Sequence, residues 1–230
     1  GILIVSKQVK YMHTEDTGLN TSQVLIIKNQ SIFNKPEVFA PLREKMLKIN
    51  GLRSATVANV VPGGGETGSN DYSVDGKSAL LDFLDVDYDY FETLGIKLKA
   101  GRTFSREFKN DTATSAIINE SAAARYGLLD PIGKTIRGCG IDYKIVGVIK
   151  DVKAQGFEAA VQPSIYTMNN PCGNPRTSLM LKVDAAQMTS VLAALKVQWP
   201  GINKLDGEDF RYEFLDELYG RLFKKQEQLK

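Results

Sequence analysis

Residues 101–108 read GRTFSREF, 116–136 AIINESAAARYGLLDPIGKTI, 143–152 YKIVGVIKDV and 161–166 VQPSIY. Gly101 opens a turn, and Ala116-Ile117-Ile118 is a short apolar run bounded by polar residues, as in a buried strand. Asn119 follows as a helix N-cap, with Glu120 in the first turn, where the positive end of the helix dipole favours a carboxylate. Gly127 is placed to take the left-handed position that ends the helix. Asp130-Pro131-Ile132-Gly133 reads as a turn, Pro presetting φ and Gly supplying freedom at its end. The β-branched run at 143–150 predicts a second strand, and 164–168 a third.

Outward from this stretch, strands are expected at 72–74, 81–87 and 134–137, and a short helix at 88–94. Two compositional breaks bound the region: Pro62-Gly63-Gly64-Gly65 before it, and Asn169-Asn170-Pro171 through Pro175 after it. Beyond each break lies a strand–helix–strand pattern. In the first, Val24-Leu25-Ile26-Ile27 precedes a helix opened by Pro36, with Phe39, Leu42, Met46 and Ile49 on one face. Gly51 ends it, and 55–61 is a strand. In the second, an alternating strand at 178–183 precedes a helix carrying Met188, Val191, Leu192, Leu195 and Trp199 on one stripe. Pro200-Gly201 is expected to stop that helix before a strand at 210–215. The two patterns can pair into one sheet with helices on one face, as in a split βαβ arrangement. The chain thus predicts an α+β fold with a discontinuous first unit and a strand-rich second unit inserted in it. Residues 215–230 form an amphipathic closing helix through Leu215, Leu218, Tyr219, Leu222, Phe223 and Leu229.

The 230 residues carry 29 basic and 27 acidic side chains. A net charge of +2 supplies no field that points to nucleic acid, and aromatics are not interleaved with basic runs. No apolar run reaches the roughly 18–20 residues that cross a bilayer. The start, Gly1-Ile2-Leu3-Ile4-Val5, reads either as the exit of a longer apolar segment or as an ordinary first strand. Two cysteines, Cys139 and Cys172, and one histidine, His13, are too few for a four-ligand zinc site. The two cysteines can form a disulfide in an oxidising compartment or stay reduced. His13, among polar residues, is expected on the surface.

Three motifs fail on inspection. Gly63-Gly64-Gly65-Glu66-Thr67-Gly68-Ser69 lacks the Lys that a phosphate loop needs after its last Gly. It reads as a linker. Asp85, Asp87 and Asp89 have the spacing of a calcium loop, but Tyr90 and Ile96 stand where Gly and Glu are required. Strand alternation would turn these aspartates, with Asp82, outward. Glu120 has no partner for acid–base work. No catalytic residue, metal ligand or cofactor site is expected.

The order of these elements resembles the MacB-like periplasmic core domain of FtsX-like ABC-transporter permeases. The resemblance runs through residues 90–96 (YFETLGI), Gly101, Arg102 and Phe104, Asn119 and Glu120, Tyr126-Gly127, Pro131 and Gly133, Gly147 to Asp151, Pro163, and Phe214-Leu215-Asp216. Lys7-Gln8-Val9 and Asp16-Thr17-Gly18-Leu19 are similar to the segment just after a first membrane helix. The chain departs from the pattern at 152–156, VKAQG. The resemblance implies structural roles for these residues and a porter-like, membrane-proximal subdomain of residues 1–70 with 176–230. An inserted subdomain spans 71–175. It also implies an extracytoplasmic position between two membrane helices, a separate ABC ATPase as partner, a permease dimer and a periplasmic partner protein. Residues 2–10 and 215–230 are then expected side by side. A domain that senses a ligand or partner protein is the alternative.

Overall fold

The computed structural model describes residues 17–28, 30–156, 159–203 and 210–228. In chain order the first elements are β1 (Val24–Ile27), α1 (Pro36–Leu47), β2 (Leu52–Ala58), β3 (Ser69–Val74), β4 (Lys77–Asp85), α2 (Tyr90–Thr93) and β5 (Leu98–Gly101). There follow α3 (Asp111–Thr114), β6 (Ser115–Asn119), α4 (Glu120–Tyr126), β7 (Thr135–Gly138), β8 (Ile141–Ile149) and β9 (Ser164–Thr167). The last are β10 (Ser178–Val183), α5 (Met188–Ile202), β11 (Glu213–Phe214) and α6 (Leu215–Gln228). The fold is α+β, with two sheets.

The first sheet has the order β11-β1-β10-β2, every neighbouring pair antiparallel. Each strand–helix–strand pattern places one strand of the other pattern between its own two, as in split βαβ folds. Strand periodicity sorts the side chains. Leu25, Ile27, Val57, Leu179 and Leu181 meet α1 and α5, whose Phe39, Met46, Val191, Leu195 and Trp199 complete one core. Val24, Ile26, Ala58 and Met180 point the other way, into a core shared with Tyr90 and Phe91 of α2 and with Ile117, Ile149 and Tyr166 of the second sheet. Leu215 and Tyr219 of α6 are buried in that shared core.

The second sheet has the order β5-β8-β6-β9-β4-β3-β7, with β7 also paired to β8. That extra pairing closes six strands into a ring and leaves β5 outside it. Leu81, Phe83, Ala116, Ile118, Ile136, Tyr143, Ile145 and Ile165 fill the interior, as side chains do in small barrels. From α4, Ala122 and Tyr126 join them, and the Tyr126 hydroxyl donates to the Tyr72 carbonyl at 2.7 Å. The α4 helix spans the predicted residues. The Asn119 side chain accepts from the Ala122 N–H, and Gly127 sits at φ 67°.

The two sheets are tied at the end of β4. Ala58 bridges Val86, and the Asn59 N–H donates to the Asp85 carbonyl at 3.0 Å. The Asp85 N–H donates to Asn59 Oδ1 at 3.0 Å, and the Thr56 hydroxyl donates to the Tyr88 carbonyl at 2.7 Å. Asp89 receives Arg43 and Arg106, each at 2.9 Å.

The structure corrects several expectations. Pro200 does not stop α5, which runs to Ile202. Burial of Trp199 and Ile202 in the core holds the last turn together despite the missing N–H. The strand expected at 210–215 is reduced to Glu213–Phe214. Asp85 does not face outward: it shares a strand face with Leu81 and Phe83 and is 6% exposed. Leu98–Gly101 and Asp111–Thr114 form elements the patterning missed. The expectations for His13, Lys7-Gln8-Val9 and the pairing of residues 2–10 with 215–230 concern residues outside those described.

Asp85 holds the crossover from the second sheet back to the first. Its carboxylate accepts the Asn174 N–H at 2.9 Å, and a Cβ on Gly173 would come within 2.4 Å of it. Cys172, next in the chain, is disulfide-bonded to Cys139 at the tip of the β7–β8 hairpin, with Cα atoms 5.9 Å apart. Burial pushes the Asp85 carboxyl up to about 6, against the Asn174 N–H and the nearby Arg176 charge, which pull it down. The folded state thus binds a proton there that the unfolded chain releases, so the Asp85 contribution to stability falls as pH rises from about 4 to about 6. Asp85→Asn keeps the acceptor and removes the charge. It is expected to stabilise the domain by about 1–2 kcal/mol at pH 8 and to leave it nearly unchanged at pH 4, by urea denaturation. The full linkage value of about 3 kcal/mol is not reached, because the amide must still be desolvated and loses the attraction of Arg176.

Candidate functional site

The loop that follows β8, residues 151–156, ties four segments of the chain together. Asp151 Oδ1 accepts the Ser121 N–H at 3.0 Å and Oδ2 accepts the Ser121 hydroxyl at 2.6 Å, which anchors the loop to the start of α4. In return the Asp151 N–H donates to Glu120 Oε1 at 3.0 Å, and Glu120 Oε2 pairs with Lys99 at 2.8 Å. The hydrogen bond from Lys99, and after it those of the Asp151 N–H and the nearby Lys150 charge, lower the Glu120 carboxyl. Two residues on, the Lys153 N–H donates to the Thr17 carbonyl at 2.8 Å. A Cβ on Gly18 would lie 2.5 Å from the Asp151 carbonyl, and Gly18 has φ +77°, so this close approach requires glycine. The Gly63 N–H donates to the Ala154 carbonyl at 2.8 Å, and the Gln155 amide donates to the Gly65 carbonyl at 2.5 Å. The Tyr219 hydroxyl of α6 donates to the Lys153 carbonyl. One six-residue loop therefore links α4 of the second sheet to the first described residues, to the Gly-rich linker and to the closing helix.

The residues carried by the family resemblance fall into two groups around this frame. Asn119, Glu120, Asp151 and Pro163 lie at the loop. Asn119 Oδ1 also accepts the Ser164 N–H at 2.9 Å and its amide donates to the Gln162 carbonyl at 2.9 Å, while the Pro163 carbonyl accepts the Asp82 N–H at 2.9 Å. Gly101, Arg102, Phe104, Pro131, Gly133 and Gly147 lie around residues 145–147 of β8. Gly101 pairs with Gly147, where a Cβ would meet the Arg102 carbonyl at 2.1 Å. Arg102 makes two bonds to the buried Asp111, at 2.7 and 2.9 Å, and Asp111 also accepts the Ser105 N–H and the Ser115 hydroxyl. Phe104 packs against Phe91 in the shared core. The Gly133 N–H donates to the Ile145 carbonyl, fastening the Pro131 turn to β8. Gly127 caps α4, Phe214 pairs with Leu25, and Asp216 lies in the first turn of α6.

Asp111, Ser121 and Tyr219 complete these groups; the first two were not singled out in the sequence, and Tyr219 only as part of the apolar face of the closing helix. Asp111 stands nine residues from Arg102 with no periodic relation to it. Ser121 has one signal, its place in the first turn of a capped helix. Tyr219 carries its apolar spacing in α6, but nothing local marks its hydroxyl.

A cleft of about 430 Å³ lies beside the loop, lined by residues 60–62, 65–67, 152–155 and 159–162 and by Leu80, Asp82, Leu84 and Tyr166, among others. Among the described residues no group of three or more His, Cys, Asp or Glu is placed to hold a metal ion. Among them, too, no helix is long and apolar enough to cross a membrane.

The sequence matches the MacB-like periplasmic core domain family over residues 2–197. The fold is similar to the periplasmic region of MacB from Actinobacillus actinomycetemcomitans, at 17% identity and a TM-score of 0.60, covering 95% of this chain and 97% of that one. A domain of a putative permease protein from Porphyromonas gingivalis is similar at 18% identity and a TM-score of 0.56, covering 84% and 91%. The extracellular domain of the noncanonic ABC-type transporter YknZ from Gram-positive bacteria is similar at 14% identity and 0.51, covering 73% and 87%. No curated protein matches the sequence. The family is that of the extracytoplasmic domain of ABC-transporter permeases and is not a catalytic one. The chain is a MacB-like periplasmic core domain.

Proposed function

We propose that this domain couples ATPase-driven motion of membrane helices to the export or extraction of a substrate at the outer face of the membrane. The observation that carries the reading is the loop at 151–156. It receives hydrogen bonds from Ser121 on one side and from Tyr219 and Gly63 on the other, and donates one to Thr17. A tilt applied through the closing helix would thus reach the second sheet without crossing a flexible segment, because interlocked packing moves as a body. In this reading residues 1–70 with 176–230 form the membrane-proximal subdomain and residues 71–175 the inserted one; the separation of the strands into two sheets supports it, with β3 starting at Ser69, two residues before the boundary. The partners are a separate ABC ATPase, a second permease copy and a periplasmic protein. The domain performs no catalysis of its own.

The test uses spin labels at Glu217 on α6 and Arg125 on α4, both exposed, in the full-length permease assembled with its ATPase. Label distances across the dimer are expected to shift by about 3 Å or more between the nucleotide-free and ATP-trapped states, the scale of interface shifts in switching proteins. Superimposable distance distributions in the two states would reject coupling.

A further inference from the structure

The middle of β8, at residues 144–146, borders a second depression of about 490 Å³, whose lining includes Arg102, Phe108, Lys109, Ile132 and Lys144. Phe108 is 47% exposed and Ile132 37%, unlike the buried aromatic and aliphatic residues of the three cores. The Arg102 guanidinium lies 3.6 Å from the Phe108 ring centroid, and its charge is met by Asp111. Asp111 is itself saturated by Arg102, Ser105 and Ser115. Lys109 and Lys144 are different: both are exposed, and neither makes an ion pair among the described residues. The depression therefore presents an apolar floor with two unneutralised ammonium groups. Gly101, the last residue of β5, also lines it. As the outermost strand, outside the closed ring, β5 has no partner strand on its outer side among the described residues.

From these features we infer that the depression is a docking site for an extended, acidic segment of a partner protein. An apolar side chain of that segment sits between Phe108 and Ile132, carboxylates on either side meet Lys109 and Lys144, and its backbone pairs along the edge of β5. Each part answers a feature of the surface. Exposed aromatic and aliphatic residues gain by burial, unpaired ammonium groups select opposite charge, and an open strand edge accepts another strand. A lipid fits less well, because an acyl chain needs an enclosed apolar channel and gains nothing from a strand edge. The inference stands apart from the coupling function, since it concerns binding alone.

The probe is a seven-residue peptide of alternating Glu and Leu, titrated into the ¹⁵N-labelled domain. Shifts are expected at residues 98–111, 132 and 144–146, with a dissociation constant of about 10⁻⁴ M, the range of a short single-strand contact. Lys109→Glu combined with Lys144→Glu is expected to weaken binding about tenfold or more, and Phe108→Ala about fivefold, while raised salt weakens the wild type and not the double variant. The lysines are surface residues, so their variants report on binding with the fold intact. A peptide with Lys in place of Glu that binds equally well would overturn the inference. So would shifts confined to the cleft at 60–67, 152–155 and 159–162, or binding to anionic phospholipid vesicles without binding to the peptide.

Discussion

Replacing Asp111 with Ala is expected to lower the unfolding free energy by about 3–4 kcal/mol at pH 7, measured by urea denaturation. The Asp111 side chain is 1% exposed and accepts four hydrogen bonds, two of them from Arg102. Its removal leaves the Ser105 N–H and the Ser115 hydroxyl without that acceptor and a partly buried guanidinium without its counter-charge. The cost stays near the lower end for a buried pair, because the Arg102 side chain is 32% exposed and can turn toward water. Arg102→Met with Asp111→Leu is expected to cost less than the two single changes added together, since no group is left uncompensated. The pH dependence has a definite sign. Burial raises the Asp111 carboxyl, but the bonds from Arg102, Ser115 and Ser105 outweigh it, and the net shift is downward. Its stabilising contribution is therefore complete above the ordinary carboxylate range and is lost as pH falls through the lowered value. That is opposite to Asp85, so the two carboxylates shape the acid limb of the stability curve from different sides.

Removing the disulfide by Cys139→Ser with Cys172→Ser is expected to cost about 3–4 kcal/mol. The two residues are 33 positions apart. Freeing a loop of that length in the unfolded chain costs about 3.7 kcal/mol by loop-closure entropy, the upper value where the native state carries no strain. The bond also fixes residues 169–175, the return from β9 to β10, against the β7–β8 hairpin. Loss of the bond should thus expose the return segment to proteolysis before global unfolding. The check is the urea midpoint of the wild type with and without dithiothreitol. The reductant should shift the wild type to the position of the double variant and leave that variant unmoved.

How much of this was legible in the sequence depended on whether the signal was local. Residues 119–127 carried cap, helix and terminator within nine positions, and α4 occupies them as expected. The run at 24–27 was legible as a strand because it is apolar throughout and buried on both faces; 178–183 was legible too, but as an alternating strand, whereas five of its six residues are buried. β5 was not, since Leu98-Lys99-Ala100-Gly101 is mostly exposed at a sheet edge and carries no alternation. Asp85 was misread because a carboxylate on a strand suggests solvent. Its burial depends on Asn174 and Arg176, which lie about ninety positions away. The loop at 151–156 escaped for a related reason. Its hydrogen bonds are made largely by main-chain groups, and main-chain groups leave no mark on side-chain pattern. Ser121 and Tyr219 are visible as residues but not as partners, because the fold alone brings them to the loop.

The interleaved order β11-β1-β10-β2 has a consequence for how the chain is assembled. β1 lies between the strand that closes the chain and one that starts more than 150 residues later. None of its sheet neighbours exists until nearly the whole domain has been synthesised. The second sheet, by contrast, draws every strand from residues 69–167, and both cysteines stand within or just after that span. Loop closure is entropically cheaper there, and the ring can complete itself and be cross-linked early. The four-stranded sheet then forms around a finished body, so that its last two strands arrive at a surface already in place. In a nascent chain crossing a membrane, the early apolar strand β1 must wait unpaired for its neighbours. That interval is when the molecule is most open to misassociation.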